Sequence, residues 1–388
     1  MDDRDEYVGR ALRAIGPPPD ADAVERVEVQ LTALAPYVRR SRRLRTALIA
    51  AVAVTLALAT LLALSLQEGL SRAQPLQAKS LPLGGDLYSV AFVDPLHGWA
   101  VGEAGTIFAT ATGGQMWRLQ ISGTGNALHA VTFVDRSHGW AVGDNGTILA
   151  TDDGGARWSA QTSGTDEQLV AVMFVDAEHG WTVGGGGDAA ILSTADGGHT
   201  WRRQQPGTSQ FLNSICFVNA TSGWALGDFG TLLSTRDGGA VWGQSTLPAQ
   251  RTPENSASLE RGVASRGITF VDSAHGWAVG DFGSIEATAD AGRTWTAEVS
   301  GTKSSLSSVT FVDSAHGWAA GEAGTILHTD DGGRSWKRQR TGVADDLFAI
   351  YFSNASDGWA VGAHGVILAT ADGGVTWHQQ GVEVVVTQ

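Results

Sequence analysis

The sequence predicts an all-β fold, a seven-bladed β-propeller with four-stranded blades, preceded by one transmembrane helix and a short helical cytoplasmic tail. Three observations predict it. Fourteen tryptophans fall into two series that recur in phase about every 41 residues, 51 glycines mark turns within the same period, and 21 uncharged residues stand ahead of the first repeat. A period of that length holding several short strands is the signature of propeller blades, whereas a run of about 20 apolar residues spans the hydrocarbon layer as a helix.

Residues 1–45 read as a cytoplasmic tail of two short helices. Val24, Val27, Leu31, Leu34 and Val38 recur at helical spacing after the GPPPD break at 16–20. A dimerising coiled coil, a docking tail and a helix pair without a partner all fit two heptads. Residues 46–66, TALIAAVAVTLALATLLALSL, form the span. Arg39, Arg40, Arg42, Arg43 and Arg45 precede it, and Gln67 and Glu68 follow. The positive-inside rule then places the N-terminus in the cytoplasm and everything after Leu66 outside it. The run exceeds a usual signal-peptide core and some 45 residues precede it, which favours an uncleaved anchor. Residues 67–84 read as a linker or extended segment, and 85–388 as the propeller.

Within 85–388 the first tryptophan series is Trp99, Trp140, Trp181, Trp224, Trp277, Trp318 and Trp359, spaced 41, 41, 43, 53, 41 and 41. The second is Trp117, Trp158, Trp201, Trp242, Trp295, Trp336 and Trp377. Each repeat reads as four strands: an inner strand such as LHAVTFVD (128–135), a histidine-glycine turn, WAVG, a Gly-rich turn, TILAT, an Asp-Gly-Gly turn, and a last strand opened by the second tryptophan. No blade buries both of its faces alone, so stacking around a ring must do so. Regular recurrence marks the tryptophans as core, each contributing up to about 4–6 kcal/mol from burial. Segments 76–81 and 382–387 both read as extended, and either would serve to complete the seventh blade.

Charge and composition exclude several classes. After Leu66 the chain carries 17 basic and 32 acidic side chains, a net of −15, which repels nucleic acid. A single cysteine, Cys216, excludes an internal disulfide and a cysteine-ligated zinc site. His97, His138, His179, His275 and His316 recur in the turn before Gly-Trp, each three residues after Asp94, Asp135, Asp176, Asp272 or Asp313. In the fourth and seventh repeats the pair changes together, to Asn219 with Ser222 and Asn354 with Asp357, as expected of a hydrogen-bonded turn. No metal site and no cofactor are expected. The G-x-S-x-G, phosphate-loop and HExxH patterns are absent, and only Tyr88 and Tyr351 follow the span, both on inner strands.

TDDGGARW, TADGGHTW, TRDGGAVW, TADAGRTW, TDDGGRSW and TADGGVTW, carrying Asp153, Asp196, Asp237, Asp290, Asp331 and Asp372, resemble the Asp-boxes of BNR-type propellers. In the first repeat, TATGGQMW, Thr112 stands in place of the aspartate. With a phenylalanine ahead of HGWAVG and GTIL ahead of the Asp-box, the whole unit is similar to the repeat of the photosystem II stability and assembly factor family over about 85–380. That resemblance implies a seven-bladed propeller and a chaperone-like, non-catalytic binder of an assembling membrane protein. A lipid-anchor cysteine and a basic patch are absent.

The expected function is therefore a membrane-anchored propeller that binds a protein client, a membrane protein or complex, during assembly or stabilisation. A sialidase-like enzyme acting on glycans stays open, since sialidases share the Asp-box; its chemistry needs a tyrosine, a carboxylate and arginines in one pocket. A sensor coupling an external ligand to the tail also stays open. No catalytic residue is assigned. The candidate contact face is that of the second-to-third turns and the blade connections. Glu103, Asp144, Asp228, Asp281 and Glu322 make a broken acidic ring there, joined by Asp166, Glu167, Asp345 and Asp346. Phe229, Phe282 and Phe211 flank a 12-residue insertion within 244–267 and suggest an apolar patch.

Overall fold

The computed structural model describes residues 85–248 and 264–382. The expected tail, span and linker (1–84), the greater part of the insertion (249–263) and residues 383–388 lie outside the described residues. Among the described residues no helix is long and apolar enough to cross a membrane.

Seven four-stranded antiparallel sheets occupy residues 87–120, 128–161, 168–203, 212–246, 265–297, 306–339 and 347–379. In each, the strands pair in chain order. In the second blade they are Leu128–Phe133, Gly139–Gly143, Ile148–Thr151 and Ser159–Gln161. The second strands, such as GWAVG, are buried at every residue in six blades and at every residue but His179 in the third, because strands flank them in the sheet and adjacent blades cover both faces. Hence their apolar run without alternation. The first strands of neighbouring blades pack against one another all the way round, so they line the axis.

Each seam is built from one repeated contact. The first tryptophan of a blade stacks on the phenylalanine that ends the next blade's first strand: Trp99 on Phe133, Trp140 on Phe174, Trp277 on Phe311, with ring centroids 3.5 Å apart. Its indole N–H donates to a carbonyl of that blade's Asp-box, Trp99 to Gly154 and Trp318 to Gly373, both at 3.0 Å. The second tryptophan meets the same phenylalanine edge-on from within its own blade, as Trp158 meets Phe133 at 5.8 Å. Each phenylalanine is thereby held on two sides.

One expectation is modified. All seven tryptophans of the first series are buried, at 3 % exposure or less. Of the second series only Trp117 and Trp377 are buried; Trp158, Trp201, Trp242, Trp295 and Trp336 are half-buried. They open the outermost strand, where a wedge-shaped sheet meets solvent. Among the described residues the seventh blade has four strands of its own from residues 347–379, while the two candidate closing segments, 76–81 and all of 382–387 but Val382, lie outside them. Where the ring closes, Trp359 stacks on Phe92 at 3.6 Å and donates to Gly113 O at 3.0 Å, across 246 residues of sequence.

Candidate functional site

The Asp-box turns and histidine turns share one face, since Gly154 N donates to Ser137 O and Gly332 N to Ala315 O, each at 2.9 Å. The second-to-third turns lie against the blade connections at the other face: Glu103 N donates to Asp86 O and Asp144 N to Ala127 O, each at 3.0 Å.

On the Asp-box face the chemistry is local. His138 Nδ1 meets Asp135 at 2.9 Å and His275 Nδ1 meets Asp272 at 2.8 Å, within each turn. In the seventh blade the pair is exchanged, with Asn354 Nδ2 donating to Asp357 at 2.8 Å. Led by the backbone N–H of His275, these bonds hold the Asp272 carboxyl below its ordinary range. In the Asp-boxes, Asp153 accepts the Thr151 hydroxyl and the Arg157 N–H, both at 2.9 Å. Asp196, Asp290, Asp331 and Asp372 are lowered to about 2, first by the hydroxyl of the residue four positions on, Thr200, Thr294, Ser335 and Thr376 respectively. In the first blade the hydroxyl of Thr112 takes over, accepting Met116 N–H at 2.9 Å.

A carboxylate bound more weakly to its proton when folded stabilises the fold above its unfolded pKa, and that stability is lost as pH falls toward the folded value. Acid unfolding is therefore expected below about pH 4, deepening toward about pH 2. Thr112→Asp should raise the melting temperature by about 1–2 °C at neutral pH, with the gain vanishing near pH 2. No gain at neutral pH would show that the hydroxyl already does all the carboxylate can.

On the opposite face the turns of six blades follow one template. Its first residue is a carboxylate in five blades, its second takes left-handed backbone, and glycine follows. The second residues are Ala104, Asn145, Phe229, Phe282, Ala323 and His364, with φ between 52° and 57°. The carboxylates of the expected ring are occupied by local bonds. Asp144 meets His129 at 2.7 Å and Gln168 at 2.8 Å, and Asp228 accepts from Asn213 at 2.9 Å. Asp281 pairs with Arg266 at 2.8 Å, Glu322 accepts Ser305 N–H at 3.1 Å, and Glu103 accepts the Tyr88 hydroxyl at 3.4 Å. Among the connections, Asp345 pairs with His364 at 2.9 Å, Asp346 accepts Ala323 N–H at 2.9 Å, and Glu167 accepts Gly187 N–H at 3.0 Å, while Asp166 is exposed. The third blade departs from the template: its longer turn, 186–189, accounts for the 43-residue spacing.

The phenylalanines differ among themselves. Phe229 and Phe282 are 53 % and 49 % exposed, at equivalent positions of the adjacent fourth and fifth blades, both at φ 57°. Phe211 is half-buried against Gly185 of the third-blade turn. Left-handed backbone on a bulky residue costs on the order of 1 kcal/mol. Ala or Asn serves that geometry in other blades. Sequence reasoning could not see the strain, because the φ of each turn is a property of the template and not of the residue.

It also missed a row of glutamines, Gln120, Gln161, Gln204, Gln339 and Gln380, each three residues after a second tryptophan. Gln120 accepts from Trp158 at 3.0 Å and donates to Gly154 O at 3.1 Å, bridging two blades. Its fixed offset from the tryptophan was the available signal. Tyr88 is the tyrosine with a carboxylate beside it. Burial first, then Glu103, Asp86 and Asp144, push its hydroxyl up to about 12.

A family model described as photosynthesis system II assembly factor YCF48 matches residues 117–203, 163–255 and 250–344, together more than half of the chain. The solved structure of YCF48 bound to D1 peptide is 20% identical, with TM-score 0.61, covering 75% of this chain and 93% of that one. YCF48 from Cyanidioschyzon merolae is 21% identical, with TM-score 0.60, covering 75% and 97%. The GH74 xyloglucanase from Xanthomonas campestris is 13% identical, with TM-score 0.60, covering 78% of this chain and 55% of that one. At such identities the structures show a shared fold. No curated protein matches by sequence. Repeats in phase, Asp-boxes capped as their sequence requires and a match across the central blades converge: the chain belongs to the photosynthesis system II assembly factor YCF48 family.

Proposed function

We propose that this propeller is a non-catalytic module that holds a protein client during assembly or stabilisation of a membrane complex. Segment 46–66 would anchor it, with residues 1–45 in the cytoplasm and the propeller outside. Family membership supports the assembly role, and a solved YCF48 carries a D1 peptide. The 21 uncharged residues and the arginines ahead of them support the anchor and its orientation. A non-catalytic reading is supported by Tyr88: the charged groups that bear on it are carboxylates, which make its phenolate harder to form, the opposite of what a nucleophile needs.

The observation that carries the binding reading is the pair Phe229 and Phe282. Two adjacent blades hold a large apolar ring in solvent on strained backbone, and strain of that kind persists where a function retains it. Aromatic rings of this sort dominate contact energies, so Phe229→Ser and Phe282→Ser should each weaken client capture by about 30-fold. Photo-cross-linking with benzoylphenylalanine at position 229 or 282, in native membranes, should trap a membrane protein that the same label at Ala104 does not. The double serine variant should melt no lower than the wild type, since neither ring is core. Undiminished capture by that variant would reject the patch.

A further inference from the structure

The glutamine amide bridges four of the seven seams, and one of the three exceptions puts a carboxyl in its place. In four seams the glutamine amide works in both senses. Gln120, Gln161, Gln204 and Gln339 accept the indole N–H of Trp158, Trp201, Trp242 and Trp377 at 2.9–3.0 Å. Through their NH2 groups they donate to Gly154, Gly197, Gly238 and Gly373 carbonyls at 2.9–3.1 Å. The other three seams differ. Ser245 stands between the fourth and fifth blades, where Trp295 donates to Gly292 O at 3.1 Å instead. Gln380 stands between the seventh and first, its amide turned to His378 O at 3.4 Å and the Trp117 N–H left buried without a partner. Between the fifth and sixth the residue is Glu298.

The slot there stands open. A Cβ placed on Gly155, Gly198, Gly239 or Gly374 would collide with the glutamine amide, whereas on Gly333 its nearest neighbours are Trp277 and Trp336. The Trp336 indole N–H is buried without a partner, and the Gly332 carbonyl accepts Trp277 at 3.0 Å. An ionised carboxylate has only acceptors, so entering the slot would press one oxygen against that carbonyl. A protonated carboxyl has one O–H donor and one C=O acceptor, the same pattern as an amide in nearly the same shape.

We propose that Glu298 is a proton-operated latch: protonated, its O–H donates to Gly332 O and its C=O accepts Trp336 N–H, tying the fifth blade to the sixth, and ionised, it leaves the slot. The charged groups that bear on it belong to the sixth blade's Asp-box turn, Asp331, which disfavours its ionisation, and Arg334, which favours it. Burial, then Asp331, raises its pKa above the ordinary glutamate value. The folded protein therefore binds this proton more tightly than the unfolded chain. Stability rises as pH falls through the folded pKa, and the gain is complete below the unfolded one. The Asp-box carboxylates act in the opposite sense and at lower pH, lowered to about 2, so the two effects separate.

The test is thermal melting of the full chain in detergent from about pH 8 to about pH 4.5, a range spanning the ordinary glutamate value, for wild type, Glu298→Gln and Glu298→Ala. At the alkaline end Glu298→Gln should melt about 2 °C above wild type, and the gap should close as pH falls. Glu298→Ala should stay below Glu298→Gln throughout, because it removes the charge without filling the slot. The Trp336 indole N–H resonance, assigned through Trp336→Phe, should move downfield in wild type over the same range and hold still in Glu298→Gln. A gap that does not change with pH, an alanine variant as stable as the glutamine one, or an indole signal indifferent to pH would each overturn the latch.

Discussion

Replacing Trp318 by alanine is expected to remove a large share of the propeller's stability. Its ring is fully buried, stacks on Phe352 at 3.6 Å and lies beside His328 at 4.9 Å. Truncating a buried tryptophan costs about 3–5 kcal/mol, against about 5–15 kcal/mol for a whole fold. The Gly373 carbonyl would also lose its 3.0 Å indole bond, though Gln339 Nε2 still donates to it at 2.9 Å. The half-buried Trp336, whose N–H has no partner, is the comparison: its alanine variant should lose clearly less. Denaturant unfolding of both decides it, and equal losses would mean that the two series do the same work.

The second large effect comes from adding one methyl group. In all seven blades the glycine before the first tryptophan, Gly98, Gly139, Gly180, Gly223, Gly276, Gly317 and Gly358, lies against the face of its own blade's phenylalanine, where a Cβ would overlap the ring. At Gly317 the ring is that of Phe311, pinned by Trp277 stacked at 3.5 Å and by Trp336 edge-on at 5.9 Å, so it has nowhere to go. Gly317→Ala should cost about 3 kcal/mol, at the upper end for overpacking. The clash should vanish once the ring is gone, so in a double-mutant cycle Gly317→Ala should add little to Phe311→Ala. Additive losses would place the strain elsewhere.

These positions show how much was legible. The Gly-Trp pairs stand out in the sequence in all seven repeats, and their tryptophans were read as seam residues. Their glycines were read only as turn formers, and the reason for them is a ring six residues earlier that folds back over the pair. The histidine–aspartate turns were readable because both partners lie three residues apart. The acidic ring was readable as positions but not as bonds, since Asp281 with Arg266 and Asp144 with Gln168 depend on which strand runs beside which turn. That Phe229 is exposed and Phe211 half-buried has the same cause.

Blade number, strand order and turn chemistry were determined by the sequence alone, because a period near 41 and the caps inside it are short-range properties that repetition makes visible seven times. The tertiary structure alone decided that Trp359 packs on Phe92 where the ring closes, and which tryptophans stay half-wet. It also decided that the seam next to Glu298 keeps an open slot and an unpartnered Trp336 N–H. Each of these joins residues tens to hundreds of positions apart, and a single repeat carries no record of what its neighbour will press against it.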